Sequence, residues 1–389
     1  MPNPHLARGC YETDELTLFR EMARRFFEQE CAPHLARWDE QGQVDREKWL
    51  EAGARGLLCA SIPEQYGGGG GTFAYEKVVA EEQARILCSA FGLAVHSGIV
   101  AHYLLAYGSE EQKLRWLPRM ATGELVGAIA MTEPGTGSDL QAIACVARAE
   151  EGDGGGHYVL NGQKTFVSNG QQAGLFIVAC KTDPEQKASG VSLLALEVEG
   201  AQGFRRGRQL DKIGLRGQDT SELFFEDLRV PESSLLGPRA GMGFAQLMEQ
   251  LPAERLLVAI GAVAATEQVL AQTLVYVKER KAFGRRVFDF QNTRFKLAEA
   301  ETEAALGRVF VEKCTELLLQ GRLDATTAAM AKWWTSEKQF EITDLCLQLH
   351  GGYGYMDEYP ISRAWRDSRV QRIYGGTNEI MKELIGRSL

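Results

Sequence analysis

Four stretches decide the fold: HYVLNGQKTFVSN at 157–169, GLFIVAC at 174–180, GVSLLALEV at 190–198 and TSELFFEDLRV at 220–230. They are short, rich in β-branched and aromatic residues, and separated by Gly, Asp and Pro, as expected of antiparallel strands joined by turns. The run EGDGGG, Glu151 to Gly156, reads as a hairpin connection. On both sides of this region the period changes. From Thr13 to about Thr122, Leu16, Phe19, Met22, Ala23, Phe26 and Phe27 recur at three- and four-residue steps, the spacing of one helix face. From Gly243 the helical period returns through Leu247, Leu251, Leu257, Ile260, Val263 and Ala264, and the last helix carries Glu379, Ile380, Met381, Leu384 and Ile385. Pro252 lacks an N–H and is expected to start or kink a helix. The expected architecture is α+β: an N-terminal helical domain over 1–123, a middle antiparallel β domain over 124–236, and a C-terminal helical bundle of four-helix type over 237–389.

Composition bounds the function. The chain has 389 residues, 44% hydrophobic and 24% charged, with a net charge of -9 and no dense Lys/Arg block. Non-specific nucleic-acid binding is therefore not expected. The longest apolar run, Leu256 to Ala265, is too short to span a bilayer. The opening MPNPHLARGCYETDEL has neither the apolar core of a signal peptide nor transit-peptide character. The eight cysteines form no C-x-x-C pair, and Cys59, Cys88, Cys180 and Cys346 sit in apolar surroundings, as buried thiols would. A cytoplasmic location is expected. The six histidines do not cluster; His96 and His350 read as packing or capping residues, and no metal site is expected. Gly67 to Gly71 lack the Lys-Ser/Thr of a phosphate-binding loop and read as a flexible turn.

Five constellations are too polar and too Gly-rich for simple core elements. Met131-Thr132-Glu133-Pro134-Gly135-Thr136-Gly137-Ser138-Asp139 follows a strand at 126–130, and its glycines allow backbone N–H groups to approach a ligand; a plain turn fits it equally well. Lys164 to Asn169 place an aromatic and a hydroxyl at a strand end, where they suit a planar ring or an ordinary half-buried strand. Glu279 to Gly284, with Phe290 and Gln291 after them, put Arg280 at a helix end, either as a phosphate clamp or as a solvated terminus. Gln348 to Gly354 read as a helix C-cap with a Gly-Gly pair. Ile373 to Glu379 place two glycines before Thr377, where N–H groups at a helix start can bind anionic oxygen.

Taken together, AMTEPGTGSD (130–139), FVSN (166–169), DTSELFFEDLRVP (219–231), ERKAFG (279–284), FQNTRFKLAE (290–299), QLHGGYGY (348–355) and YGGTNEI (374–380) resemble the signatures of the acyl-CoA dehydrogenase family along nearly the whole chain. HSGIV (96–100), LPAERLL (251–257) and IYGGTNEIMKELI (373–385) are most similar to the long-chain type. The resemblance implies FAD-dependent α,β-dehydrogenation of an acyl-CoA thioester, with Ser97 and Gly98 in a helix lining the acyl tunnel. Met131, Thr132 and Ser138 would line the flavin, with Ser138 also at the start of the CoA arm. Phe166 and Ser168 would sit against the isoalloxazine ring, where relatives often carry Trp and Thr. Arg280, Gln291, Gln348, Gly351 and Gly352 would reach the FAD of a neighbouring subunit in a dimer of dimers, and Thr377 and Glu379 would also meet FAD. Electron-transferring flavoprotein is the implied acceptor.

One position departs from the family pattern. Many members carry the catalytic Glu immediately before the Gly-Thr of this last motif, and here that residue is Gly375. Long-chain and isovaleryl-type relatives place their base at the position matching Glu254, with Arg255 beside it as a substrate-binding residue. Without the resemblance, Glu254 reads as an exposed first-turn carboxylate favoured by the helix dipole. The implied assignment is Glu254 as base, the Gly375 N–H as donor to the thioester oxygen, and Ser138, Arg255, Gly375 and Gly376 against the substrate. Rival readings are a branched-chain dehydrogenase, a flavin oxidase or monooxygenase on the same fold, and a non-catalytic flavoprotein.

Overall fold

A computed structural model describes residues 9–151 and 156–389. The first eight residues, read above for targeting signals, and residues 152–155 of the expected hairpin connection lie outside the described residues. The strands flanking that connection pair antiparallel, with Glu150 opposite His157.

The N-terminal helices are α1 (Asp14–Phe26), α2 (Leu35–Gln41), α3 (Arg46–Ala54), α4 (Phe73–Arg85), α5 (Ala101–Tyr107) and α6 (Glu110–Ala121). Their ends are specified locally. Thr13 caps α1 by accepting from the Leu16 N–H, with Asp14 and Glu15 in the first turn and Arg24 and Arg25 in the last, each sign matched to the helix dipole. Ser109 and Gln112 form a reciprocal capping box at α6. A π-helical turn, Ala94–Val100, precedes α5. The five glycines at 67–71 are no phosphate cradle. Their N–H groups donate in turn to carbonyls of Glu64, Pro63, Cys59, Ile62 and Ala60, so the segment is a tightly bonded loop rather than a flexible turn.

The sheet comprises β1 (Gly127–Ala130), β2 (Val146–Glu150), β3 (His157–Ser168), β4 (Leu175–Lys181), β5 (Val191–Glu197), β6 (Phe204–Gln209) and β7 (Thr220–Pro231). The strand order is β1-β4-β2-β3-β7-β6, with β5 also on β4. It is not wholly antiparallel as expected: β1 runs parallel to β4, Gly127 opposite Leu175, and β2 meets β4 in parallel at Val146 and Lys181. Both pairings join strands distant in sequence, as parallel pairing requires. The sheet and the N-terminal helices share a core that includes Phe26, Trp38, Trp49, Phe91, Phe176 and Phe225.

The C-terminal domain has three long helices, α7 (Gly243–Glu279), α8 (Gln291–Leu319) and α9 (Ala325–His350), with the shorter α10 (Pro360–Ser368) and α11 (Asn378–Arg387) packed on α9. Pro252 lies inside α7 and starts nothing; the helix begins at Gly243. By length and composition alone α7 is apolar enough to cross a membrane. Here it packs between α4, α8 and α9. A buried ionic network joins it to the N-terminal helices: Lys77 meets Glu81 at 2.8 Å and Glu312 at 2.9 Å, Arg308 meets Glu267 at 2.7 Å and also Glu81, and Arg20 meets Glu81 at 2.6 Å. Removing one partner from such a network strands a buried charge, at a cost of about 3–5 kcal/mol.

Candidate active site

Glu254 is buried in the interior of α7, where the sequence alone suggests an exposed first-turn carboxylate. The Tyr103 hydroxyl, fully buried on α5, donates to Glu254 Oε1 at 2.8 Å. Burial pushes the Glu254 carboxyl up to about 7, against the opposing effects of the Tyr103 bond and the neighbouring Arg255. Burial also raises the Tyr103 phenol well above its usual range, with the Glu254 charge adding to it, so Tyr103 remains the donor. A carboxyl poised near 7 is matched to accepting a proton at neutral pH.

The segment ahead of α11 lies against the same face of α7. Arg255 Nε donates to the Gly375 carbonyl at 3.3 Å. A side chain at Gly375 would meet only Val258 Cγ2, at 3.9 Å, and Val258 lies one turn beyond Glu254. Gly375 and Gly376 have φ of +65° and +90°, the left-handed region that a Cβ disfavours. At Gly376 space is also short, since a Cβ would fall 2.7 Å from Met381 Cε. Lys332, fully buried on α9, donates to the Gly376 carbonyl at 2.7 Å. Burial, helped by Arg255, lowers its pKa to about 8. Thr377 caps α11 by accepting from the Ile380 N–H, and Glu379 is exposed in the first turn.

A second group forms where β1 and β3 end. The Thr165 N–H donates to the Thr132 carbonyl, and buried Lys164 donates to the Met131 carbonyl at 2.9 Å and to Glu133 at 2.6 Å. Glu133 accepts in addition from the Ala144 and Cys145 N–H groups. The register shift between Lys164 and Val167 turns Phe166 out of the ladder, with φ of +57° and 67% of its surface exposed. A left-handed, solvent-facing phenyl ring is costly unless something covers it. Met131, Thr132 and Ser168 are half-buried, and Ser138 is exposed. The residues fit a planar aromatic group laid on Phe166.

A third group sits at the far end of α7. The Arg280 guanidinium lies over the Tyr353 ring at 5.4 Å, and Tyr276 donates to the His350 carbonyl at 3.1 Å, tying α7 to the end of α9. Gln291, Gln348, Gly351 and Gly352 are exposed there, beside Phe283 at 96% and Tyr355 at 82% exposure. Arg280 follows Glu254 by 26 positions on the α7 axis, about 39 Å at 1.5 Å per residue. The third group therefore does not join the first within one chain.

His96 and His350 are packing residues as expected. His96 accepts from the Gly127 N–H and faces the Met120 carbonyl, with its pKa lowered to about 4 by burial; His350 stacks on Tyr276 at 4.2 Å. Ser97 and Gly98 also have packing roles: Ser97 accepts from the Cys59 N–H, and a Cβ on Gly98 would fall 2.5 Å from Leu257 Cδ1. Sequence reasoning missed Tyr103, Lys332 and the Lys164–Glu133 pair. A lysine set among Ala328, Ala329 and Ala331 on a buried helix face was the available signal for Lys332.

The family models described as the acyl-CoA dehydrogenase N-terminal, middle and C-terminal domains match residues 13–124, 128–228 and 241–389. The fold and these matches define an oxidoreductase acting on CH–CH groups. The long-chain specific acyl-CoA dehydrogenase of Sus scrofa mitochondria is 49% identical over 97% of this chain and 87% of its own length. The crystal structure of an acyl-CoA dehydrogenase from Geobacillus kaustophilus superposes with a TM-score of 0.94, at 48% identity, covering 98% of this chain and 99% of that one. A glutaryl-CoA dehydrogenase from Mycobacterium smegmatis in complex with FADH2 has a TM-score of 0.90 at 26% identity, covering 99% and 96%. The chain belongs to the acyl-CoA dehydrogenase family.

Proposed function

We propose that this acyl-CoA dehydrogenase acts on long-chain acyl-CoA thioesters, with Glu254 as the base that removes the α-proton. The observation carrying this reading is a carboxyl buried inside α7 and held by the Tyr103 hydroxyl, which burial pushes up to about 7, on the helix whose Arg255 binds the segment that has a glycine where many members carry their base. Tyr103 holds the carboxylate in place, and Arg255 ties the Gly375–Gly376 segment to the same helix. The Gly375 N–H is the donor for charge developing on the thioester oxygen, and Gly376 and Ser138 lie along the CoA arm.

FAD, when bound, supplies the acceptor for the β-hydride. Phe166 would stack on its ring, Met131, Thr132 and Ser168 would contact the ring edge, and Thr377 and Glu379 would lie against its other parts. Arg280, Gln291, Gln348, Gly351 and Gly352 would reach a partner's FAD; their distance from Glu254 and the exposed apolar side chains around them support a homotetramer built as a dimer of dimers. Electron-transferring flavoprotein as acceptor and a cytoplasmic location complete the proposal.

The test is the rate on a panel of acyl-CoAs with an artificial electron acceptor. Chains longer than about eight carbons are expected to be preferred, since each buried CH₂ contributes roughly 0.8 kcal/mol until the pocket ends. A maximum on isovaleryl-CoA would instead establish the branched-chain reading.

A further inference from the structure

The ammonium of Lys332 is held almost entirely by uncharged groups, the Gly376 carbonyl at 2.7 Å and the Asn378 side-chain oxygen at 3.1 Å. No carboxylate among the described residues forms an ion pair with it. Glu337, further along α9, is engaged by Arg372 at 3.0 Å and by the Asn378 amide at 3.0 Å. A buried ammonium without a carboxylate carries a desolvation penalty that a methionine of similar size would avoid. What the charge does here is grip the backbone. Arg255 holds the preceding carbonyl, that of Gly375, at 3.3 Å, so two consecutive carbonyls are held by cations from α7 and α9. In a trans peptide the N–H points opposite the C=O, so fixing these carbonyls also fixes the N–H groups of Gly376 and Thr377, the two peptide units that directly follow the Gly375 N–H and limit how its peptide can turn.

We propose that Lys332 is a positioning residue for the dehydrogenation, locking the left-handed Gly375–Gly376 segment against α7, the helix that carries Glu254. The proposal rests on the placement of Glu254 and Gly375 given above. Lys332 acts only through the loop. Two adjacent glycines have the widest backbone freedom of any pair, and although Met381 crowds Gly376, an added side chain at Gly375 would meet only Val258, so the two backbone hydrogen bonds are what fix the orientation at 375. A misplacement of about 1 Å in groups that orient a substrate costs up to about 100-fold in rate.

The experiment uses Lys332→Met and Lys332→Ala holoenzymes. Flavin reduction by lauroyl-CoA is followed anaerobically and expressed per bound flavin, and amide hydrogen exchange is measured across residues 373–380. Both variants are expected to reduce roughly 10- to 100-fold more slowly, with lauroyl-CoA affinity changed by less than about threefold. Exchange in the loop is expected to quicken without a matching change in the sheet, and added propylamine, but not propanol, is expected to recover part of the Lys332→Ala rate. Should Lys332→Ala lose its flavin, the Lys332→Met rate per bound flavin decides. A per-flavin rate within about twofold of wild type overturns the proposal, as does unchanged loop exchange or a loss indifferent to propylamine. Failure of the Glu254 reading shows in a separate arm, as a Glu254→Gln enzyme reduced at the wild-type rate.

Discussion

Glu254 owes its chemistry to burial and to two neighbours that oppose it. Burial favours the neutral acid, whereas the Tyr103 hydroxyl and Arg255 favour the carboxylate, and the balance falls at about 7. Below that pH the base is protonated and idle; above it the base is competent. The rate of flavin reduction should therefore rise with pH through the neutral range. Tyr103→Phe removes a donor to the charged form and should move this limb to higher pH, lowering the rate most below neutrality and least at alkaline pH. A pH profile of the reduction rate checks the shift, and an unmoved limb would mean that Tyr103 does not tune the base. At this scale the sequence is only half legible. The residue type and its place in LPAERLL are visible, but burial and the hydroxyl 151 positions away arise only when α5 and α7 pack together.

Among the elements, the segment before α11 and the bulge in β3 carry the departures from regular structure. The sequence shows where the first lies, because Gly375-Gly376 precede the Thr377 cap, but not the second, because Phe166-Val167-Ser168 continue the strand pattern. It does not show that Phe166 adopts φ of +57°, since the register shift is a property of the β3–β7 pair. Nor does it show that β1 runs parallel to β4, since local alternation is silent about partners. The open space at Gly375 bears on an exchange of catalytic positions. Glu254→Gln with Gly375→Glu should recover part of the activity lost in the single variant, because a side chain there meets only Val258. Recovery should be incomplete, since holding a glutamate at φ of +65° costs about 1–2 kcal/mol. Flavin reduction in the single and double variants measures it, and no recovery on any acyl-CoA would show that position 375 does not look onto the reacting carbon.

The whole molecule is organised by α7, which carries Glu254 in its N-terminal half and ends at Arg280 beside the exposed Phe283 and Tyr355. The helix–sheet–helix order is legible because the hydrophobic period changes twice, near 125 and near 243, and each change is written in local residues. The proposed assembly comes only from the family resemblance, since no local pattern says whether the Arg280 end of the helix meets another subunit. Arg280→Ala should lower FAD retention and loosen the proposed tetramer together, a coupling expected if the guanidinium bridges two chains. Native mass spectrometry with flavin quantified in the same samples reports both, and an intact tetramer with full FAD would separate Arg280 from the interface.

Whether α7 supplies the carboxylate absent at position 375 is decided by anaerobic stopped-flow reduction of the Glu254→Gln holoenzyme by a long-chain acyl-CoA. Loss of a positioned base costs about 10²–10⁴ in rate, so acyl-CoA binding should stay near wild type while flavin reduction slows by that factor. Reduction at the wild-type rate would contradict it.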